Sequence, residues 1–382
     1  MNERGGVKCT DMGSLRYGVS VLVLVAVMLA AMLFALPHSI DAAYHFSNFK
    51  GIPPIHVYST TKTPVGMTPA QIKKIYGLPA SGGKGTIVIV GAYNDVTIEA
   101  DLAVFDKTFG LPACTTANGC FTKHLMNAKE GSNSGWAIET SLDVEWAHAI
   151  APNAKIVLVA ATTQSGANLL KAVDYAASLP GAVAISMSWG GAEFPEETSL
   201  DSHFKSVSNA TFFASSGDNG AGASWPAASP QVVGVGGTSI ALNSNGTFSK
   251  ETAWGGSGGG ISAYEKEPSY QSSYSIPKAG GMRAIPDVSY DADPASGFPI
   301  YHAGVWRKVG GTSAGAPQWA AIASLGGGVT LAHLYADKSG GNSGSYFRDI
   351  TSGANGDCGY LCNARAHYDY VTGLGSPLTD NF

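Results

Sequence analysis

From Thr68 onward the chain alternates short apolar runs with segments of helical periodicity. GTIVIVGAY (85–93) is apolar at consecutive positions and bounded by glycine, the pattern of a strand buried on both faces. IEADLAVFDKTFG (98–110) instead repeats its apolar residues every three to four positions, which predicts a helix. The alternation continues with a helix over 135–149, a strand over 154–161, a helix over 167–179, a strand over 182–190, a helix over 199–208 and a strand over 211–217. MTPAQIKKIYGLP reads as a short helix with Thr68 as N-cap and Pro69 in the first turn. From 231 to 310 the text is glycine-rich and strand-like, until GGTSAGAPQWAAIASLGG opens a further helix. Repeated βαβ units predict an α/β fold, a doubly wound, mainly parallel sheet flanked by helices, with ligands bound outside the C-terminal ends of its strands. No break in composition divides 67–382, so this stretch is expected to be one domain.

The N-terminal pattern differs. Arg4, Lys8 and Arg16 precede an uncharged apolar stretch from Tyr17 to Leu36, which predicts export through a signal peptide over 1–36 or retention there as a membrane anchor. Residues 37–66 are polar, with prolines at 53, 54 and 64, and read as a linker or short propeptide. Cysteine usage agrees with export. Cys114 and Cys120 are six apart and Cys358 and Cys362 four apart, which predicts two local disulfides of a secreted or extracytoplasmic protein; neither pair has the CxxC spacing or interleaved histidines of a zinc site. With 23 Lys and Arg against 28 Asp and Glu, the net charge is −5, which removes the electrostatic footprint of a nucleic-acid binder. Charged residues make up only 13% of the chain, and a sparsely charged surface suffers less self-repulsion as carboxylates protonate in acid.

Three local patterns carry candidate chemistry. In GGTSAGAP, a Gly-rich turn before an apolar helix can place Ser313 at a helix N-terminus, where the dipole and free N–H groups stabilise an oxyanion; the same text also fits a plain N-cap serine. A nucleophilic serine needs a base, and none of the nine histidines lies in a His-Gly-Thr-His setting. GWAIETSLDVEWAHAIAP offers a different partner. Glu139 and Asp143 are four apart and share a helix face, so one raises the pKa of the other; the alternative is a solvated acidic stripe, against which the tryptophans and Ile138, Leu142 and Val144 argue. FFASSGDNGAG places Asp218 just past an apolar strand, where a neutral carboxyl can donate to an oxyanion or the residue can simply serve a turn.

Glu-x-x-x-Asp on a helix, Ser-Gly-Asp after a strand and Gly-Thr-Ser-x-x-x-Pro, in this order, resemble the sedolisins, serine-carboxyl peptidases whose fold resembles subtilisin. The resemblance runs from about Thr68 to Pro377 and includes ASWPAASPQVVGVGGTS and IPDVSYDADP. It implies an acid-active endopeptidase with Ser313 as nucleophile, Glu139 as general base and acid, Asp143 as its partner and Asp218 as the oxyanion-hole acid. It further implies that Ser188, Trp189 and Gly190 border the substrate cleft, with Trp189 near the carboxyl pair. FRDITSG and RAHYDYVTGLGSP resemble the family's calcium loop, which implies one Ca2+ held by the carboxylates of Asp349 and Asp369 and the carbonyls of Ile350, Arg365 and His367. Arg365 and His367 stand where glycines are usual. Sedolisins commonly carry a folded prodomain, whereas only about thirty residues separate Leu36 from the start of the resemblance. The implied partners are protein or peptide substrates, and the enzyme is expected to be a monomer.

Two other functions are compatible with the same text. An α/β-hydrolase esterase would use Ser313, Asp349 and His367 in the required chain order, though it lacks an HGGG-type oxyanion motif. A non-catalytic exported binding protein would require the loss of a catalytic group, and all four are present.

Overall fold

The computed structural model describes Met1 and residues 46–129, 131–326, 328–336 and 346–382. The apolar stretch 17–36, and with it the signal or anchor reading, lies outside the described residues, as do Cys9 and the first part of the expected linker. Among the described residues, no helix is long and apolar enough to cross a membrane.

The sheets are built chiefly from β1 (His56–Thr61), β2 (Thr86–Ala92), β3 (Phe121–Leu125), β4 (Lys155–Ala161), β5 (Ala182–Met187), β6 (Thr211–Ser215), β7 (Val232–Leu242), β8 (Phe248–Ala253), β9 (Val288–Asp291), β10 (Phe298–His302) and β11 (Val305–Gly310). The central sheet has eight strands in the order β8-β7-β6-β5-β2-β4-β3, with β9 also pairing along β7. Every pairing in it is parallel except β7 with β8. Strand β2 shows why consecutive apolar positions are needed. Ile87 and Ile89 enter the core on one face, while Val88 and Val90 enter a second core on the other, as the pleat requires.

The helices that frame the sheet and its strand ends are α1 (Pro69–Ile75), α2 (Ile98–Phe109), α3 (Ser134–Ile150), α4 (Gly166–Ser178) and α5 (Gly315–Gly326). The expected cap at Thr68 is present as a capping box with Gln71. Helix α3 packs on α5, and both are buried nearly all round, the pattern of a core helix rather than a surface one. Glu139 and Asp143 are each 1% exposed, which removes the solvated-stripe alternative.

One expectation is corrected. The helix predicted over 199–208 is only a 3-10 helix over Glu197–His203. Its polar side chains are bonded elsewhere: Ser199 Oγ donates back to the Glu196 carbonyl and Asp201 accepts from Ser229. In the stretch read as a linker or short propeptide over 37–66, the residues from Phe46 onward pack with the rest of the fold: Phe49 is buried and β1 pairs antiparallel with β11, which in turn pairs with β10. Composition hid this strand because an edge strand of a small sheet needs few apolar residues.

Candidate active site

The C-terminal ends of β5 and β6 and the N-terminus of α5 converge on one point. Gly310 and Gly311 carry the chain from β11 into a 3-10 turn, Thr312–Ala314, that runs directly into α5, so Ser313 stands at the start of the helix. Gly311 has φ +125°, and a Cβ there would collide with the Pro54 carbonyl oxygen and with Asp218 Oδ2. Glycine is therefore required by both backbone conformation and space.

Ser313 is fully buried, and its hydroxyl neighbours the Glu139 carboxyl. Asn133 caps α3 by accepting from the Gly135 and Trp136 N–H groups, which fixes the first turns that carry Glu139. Burial pushes Glu139 well above the ordinary carboxyl range, the adjacent Asp143 charge adds to the shift, and the nearby Ser313 hydroxyl opposes it. Burial likewise pushes Asp143 up to about 8, against the Ser188 hydrogen bond and the adjacent Glu139 carboxyl, which lower it. The pair thus holds a proton through the acid range. Ser188 Oγ donates to Asp143 Oδ1 at 2.6 Å and lies 3.3 Å from the Ser313 carbonyl, so it ties the carboxyl pair to the serine turn; like Trp189 it is buried and does not line the cleft.

Asp218 follows β6; its side chain is only 5% exposed, and burial raises its pKa. Its Oδ1 accepts from the Thr312 N–H and Oγ–H, both at 2.8 Å, while Oδ2 lies 3.1 Å from His56 Nε2. The His56 and Thr312 contacts oppose the rise. Beside this carboxyl, the Ser313 N–H points at the Pro54 carbonyl oxygen, 3.4 Å away. A cavity of about 550 Å3 opens here, lined by residues that include Pro54, His56, Gly190, Asp218 and Ala223.

Four of the expected residues, Ser313, Glu139, Asp143 and Asp218, therefore lie together, with Ser188 and Gly190 beside them. Trp189 does not line the cleft: it is fully buried, donates from Nε1 to the Val90 carbonyl and lies in a core with Trp225. His56, Pro54 and Thr312 were not singled out from sequence. Thr312 adjoins the serine motif, but no local pattern marks the other two, whose partners are more than a hundred residues away.

The disulfides Cys114–Cys120 and Cys358–Cys362 are both formed. In the C-terminal loop, the His367 N–H donates to Asp349 Oδ2 and the Arg365 N–H to Asp369 Oδ2, which brings the expected calcium ligands into one cluster. His367 adopts φ +65°, the left-handed conformation for which glycine is usual. Asp349 Oδ1 is buried with no hydrogen-bond donor, as a cation ligand should be, whereas both Asp369 oxygens already accept from N–H or O–H groups. The esterase triad is not assembled. His367 is exposed and meets Asp349 through its backbone, while the acid beside Ser313 is Glu139.

No protein-family model matches the chain. It is 30% identical to sedolisin from Pseudomonas sp. (strain 101) over 311 residues, covering 69% of this chain and 52% of that protein. It is 31% identical to kumamolisin from Bacillus sp. (strain MN-32) over 365 residues, covering 84% of this chain and 63% of that protein. The chain therefore spans between half and two thirds of the length of these relatives. The solved structure of Pseudomonas sedolisin, a serine-carboxyl proteinase in complex with pseudo-iodotyrostatin, superposes with a TM-score of 0.71 at 29% identity, covering 82% of this chain and 96% of that one. Similarity of sequence over most of the chain, together with a shared sheet and helix arrangement, fixes the relationship: the chain belongs to the sedolisin family.

Proposed function

We propose that the protein is an exported, acid-active serine-carboxyl endopeptidase. The observation that carries this reading is a carbonyl oxygen, that of Pro54, lying against the Ser313 N–H and beside the Asp218 carboxyl, with the Ser313 hydroxyl next to a buried acid pair. In a substrate, Ser313 Oγ adds to the peptide carbonyl carbon and passes its proton to Glu139, whose partner Asp143 keeps the pair from carrying two negative charges in an apolar site. The oxyanion is met by the Ser313 N–H and by protonated Asp218, which donates its proton without losing it. Glu139 then returns a proton to the departing amine, and water repeats the sequence on the acyl-enzyme.

Two disulfides support an extracytoplasmic location, reached through a signal peptide or an anchor over 1–36. One Ca2+ fits the C-terminal loop, held by Asp349 and Asp369 with the carbonyls of Ile350, Arg365 and His367; when bound, it contributes positive charge that ties the loop together. Hydrolysis of an unfolded protein substrate, measured from pH 3 to pH 8, tests the reading. Activity is expected in acid and lost in both Ser313→Ala and Glu139→Gln, each with unchanged circular dichroism. Hydrolysis that survives Ser313→Ala would refute it.

A further inference from the structure

A second cluster of ionisable groups lies outside the active site. Ser141 and Glu145 stand on the face of α3 opposite Glu139 and Asp143, because two residues make about 200° of helical turn. Next to that face the fold brings Asp95 from just after β2, Asp101 from α2 and His302 from the end of β10. The side chains of Asp95 and Asp101 are 3% and 5% exposed and that of His302 10%, so all three are shut away from bulk water. Local hydrogen bonds hold each in place. Asp95 Oδ1 accepts from the Thr97 N–H at 2.9 Å and from its hydroxyl at 3.0 Å. Asp101 Oδ2 accepts from the Ala303 N–H at 3.1 Å, where the chain turns from β10 to β11 through Ala303 at φ +50° and Gly304 at φ +86°. His302 Nδ1 lies 3.0 Å from Ser141 Oγ, whose hydrogen has the Ala137 carbonyl as another acceptor at 3.2 Å.

We propose that Asp95, Asp101 and His302 form a zinc site, separate from the C-terminal calcium loop. One oxygen of each carboxylate and one ring nitrogen lie within 4.8 Å of one another. His302 Nδ1 is 3.7 Å from Asp95 Oδ2 and 3.7 Å from Asp101 Oδ2, too far for a hydrogen bond to either. Ligands of one tetrahedral zinc, each about 2.0–2.2 Å from it, stand ~3.4 Å apart, so a small inward shift closes this spacing around an ion. Asp95 Oδ2 is buried with no hydrogen-bond donor, and so is Glu145 Oε1, on whose carboxyl the Asp95 and Asp101 charges act. A buried carboxylate oxygen left without a donor is costly unless a cation meets it. The neighbouring cations do not: Lys123 Nζ donates to Asn94 Oδ1 and the Asp95 carbonyl, and Arg307 Nη1 to the His302 carbonyl. The donor set selects the metal. Calcium takes six to eight oxygens, whereas two carboxylates and an imidazole, with a fourth position left for water, suit a borderline ion such as zinc. Bound there, zinc ties the turn after β2, α2 and the β10–β11 hairpin together behind the helix that carries Glu139.

The test uses the full chain at pH 7, stripped with chelator, dialysed, then titrated calorimetrically with zinc and melted with and without it. One zinc per chain is expected to bind and to raise the melting temperature. Asp95→Asn and His302→Ala should each weaken this binding by roughly 100-fold, as loss of a ligand or of the group that orients one does. Asp349→Ala, in the C-terminal loop, should leave it unchanged. Co2+ in place of zinc should give the visible absorption of a four-coordinate ion, lost in His302→Ala. Anomalous scattering at the zinc edge from crystals of the loaded wild type locates the ion without any variant, so the proposal stays open to refutation even where a substitution prevents folding; the peak is expected between Asp95, Asp101 and His302. No zinc bound, equal affinity in wild type, Asp95→Asn and His302→Ala, binding lost in Asp349→Ala, or a peak elsewhere overturns the proposal, and none of these outcomes touches the peptidase reading.

Discussion

Stability of this fold should fall as pH rises from acid toward neutrality, and Glu197 makes the effect measurable. The residue is fully buried; its Oε2 accepts from the Phe194 N–H at 2.8 Å, and Oε1 has no hydrogen-bond donor. Burial pushes its pKa up to about 9; the Phe194 N–H opposes the rise, and nearby Glu193 and Glu265 add to it. An ordinary glutamate in the unfolded chain titrates near 4.5, so the folded state holds this proton more tightly. Its contribution is complete below the unfolded pKa and is lost as pH climbs toward the folded one. Between pH 4.5 and pH 7 this single group accounts for about 3 kcal/mol as a ceiling, at roughly 1.4 kcal/mol per pH unit. At ~2 °C per kcal/mol for a domain of this size, the melting temperature moves by about 6 °C. Glu265 and Asp106, raised mainly by burial to about 8 and about 7, act in the same direction, while buried His148, whose pKa is lowered, acts in the opposite one. The assay is thermal unfolding from pH 4 to pH 8 in a Ser313→Ala background, with and without Glu197→Gln. Glutamine has the shape of the protonated acid and does not titrate, so the variant should lose stability less steeply with pH. Superimposable slopes, or wild-type stability that rises from pH 4.5 to pH 7, would contradict this account of Glu197.

Two further outcomes are expected. Asp218→Asn keeps a hydrogen-bond donor and removes the titration, so it should retain more activity than Asp218→Ala and lose less than wild type when the pH is raised from 4 to 7; equal alkaline losses in wild type and Asp218→Asn would sink the oxyanion role. Millimolar Ca2+ should raise the melting temperature relative to chelator, by about 4 kcal/mol of stability at a thousandfold excess over Kd, and Asp349→Ala should abolish the difference; identical melting with calcium and with chelator would mean that the loop closed by Arg365 and His367 binds no ion.

Local geometry is written in the amino-acid order. Consecutive apolar residues specify strands buried on both faces, so β2, β4, β5 and β6 are legible, as are α2, α3 and α4 from their period and α1 from its cap. The serine motif and the Glu139–Asp143 pair are legible for the same reason, since a tight turn before a helix and a four-residue spacing each fix geometry within one or two helical turns. The 199–208 segment shows the limit even locally, because Ser199 and Asp201 have hydrogen-bond partners that its periodicity could not anticipate. Which motifs meet is a property of the folded chain and not of any one stretch of it. The parallel order of β6, β5 and β2 brings Asp218, Ser188 and α3 to the same end of the sheet, and α5 delivers Ser313 to them. Folding also turned a polar, proline-bearing stretch into the strand and cleft segment that carry Ile52, Pro54 and His56. Their contacts to Gly190, Ser313 and Asp218 span more than a hundred residues each, and backbone pairing of this kind places almost no demand on side-chain identity, so it leaves no mark on composition or period.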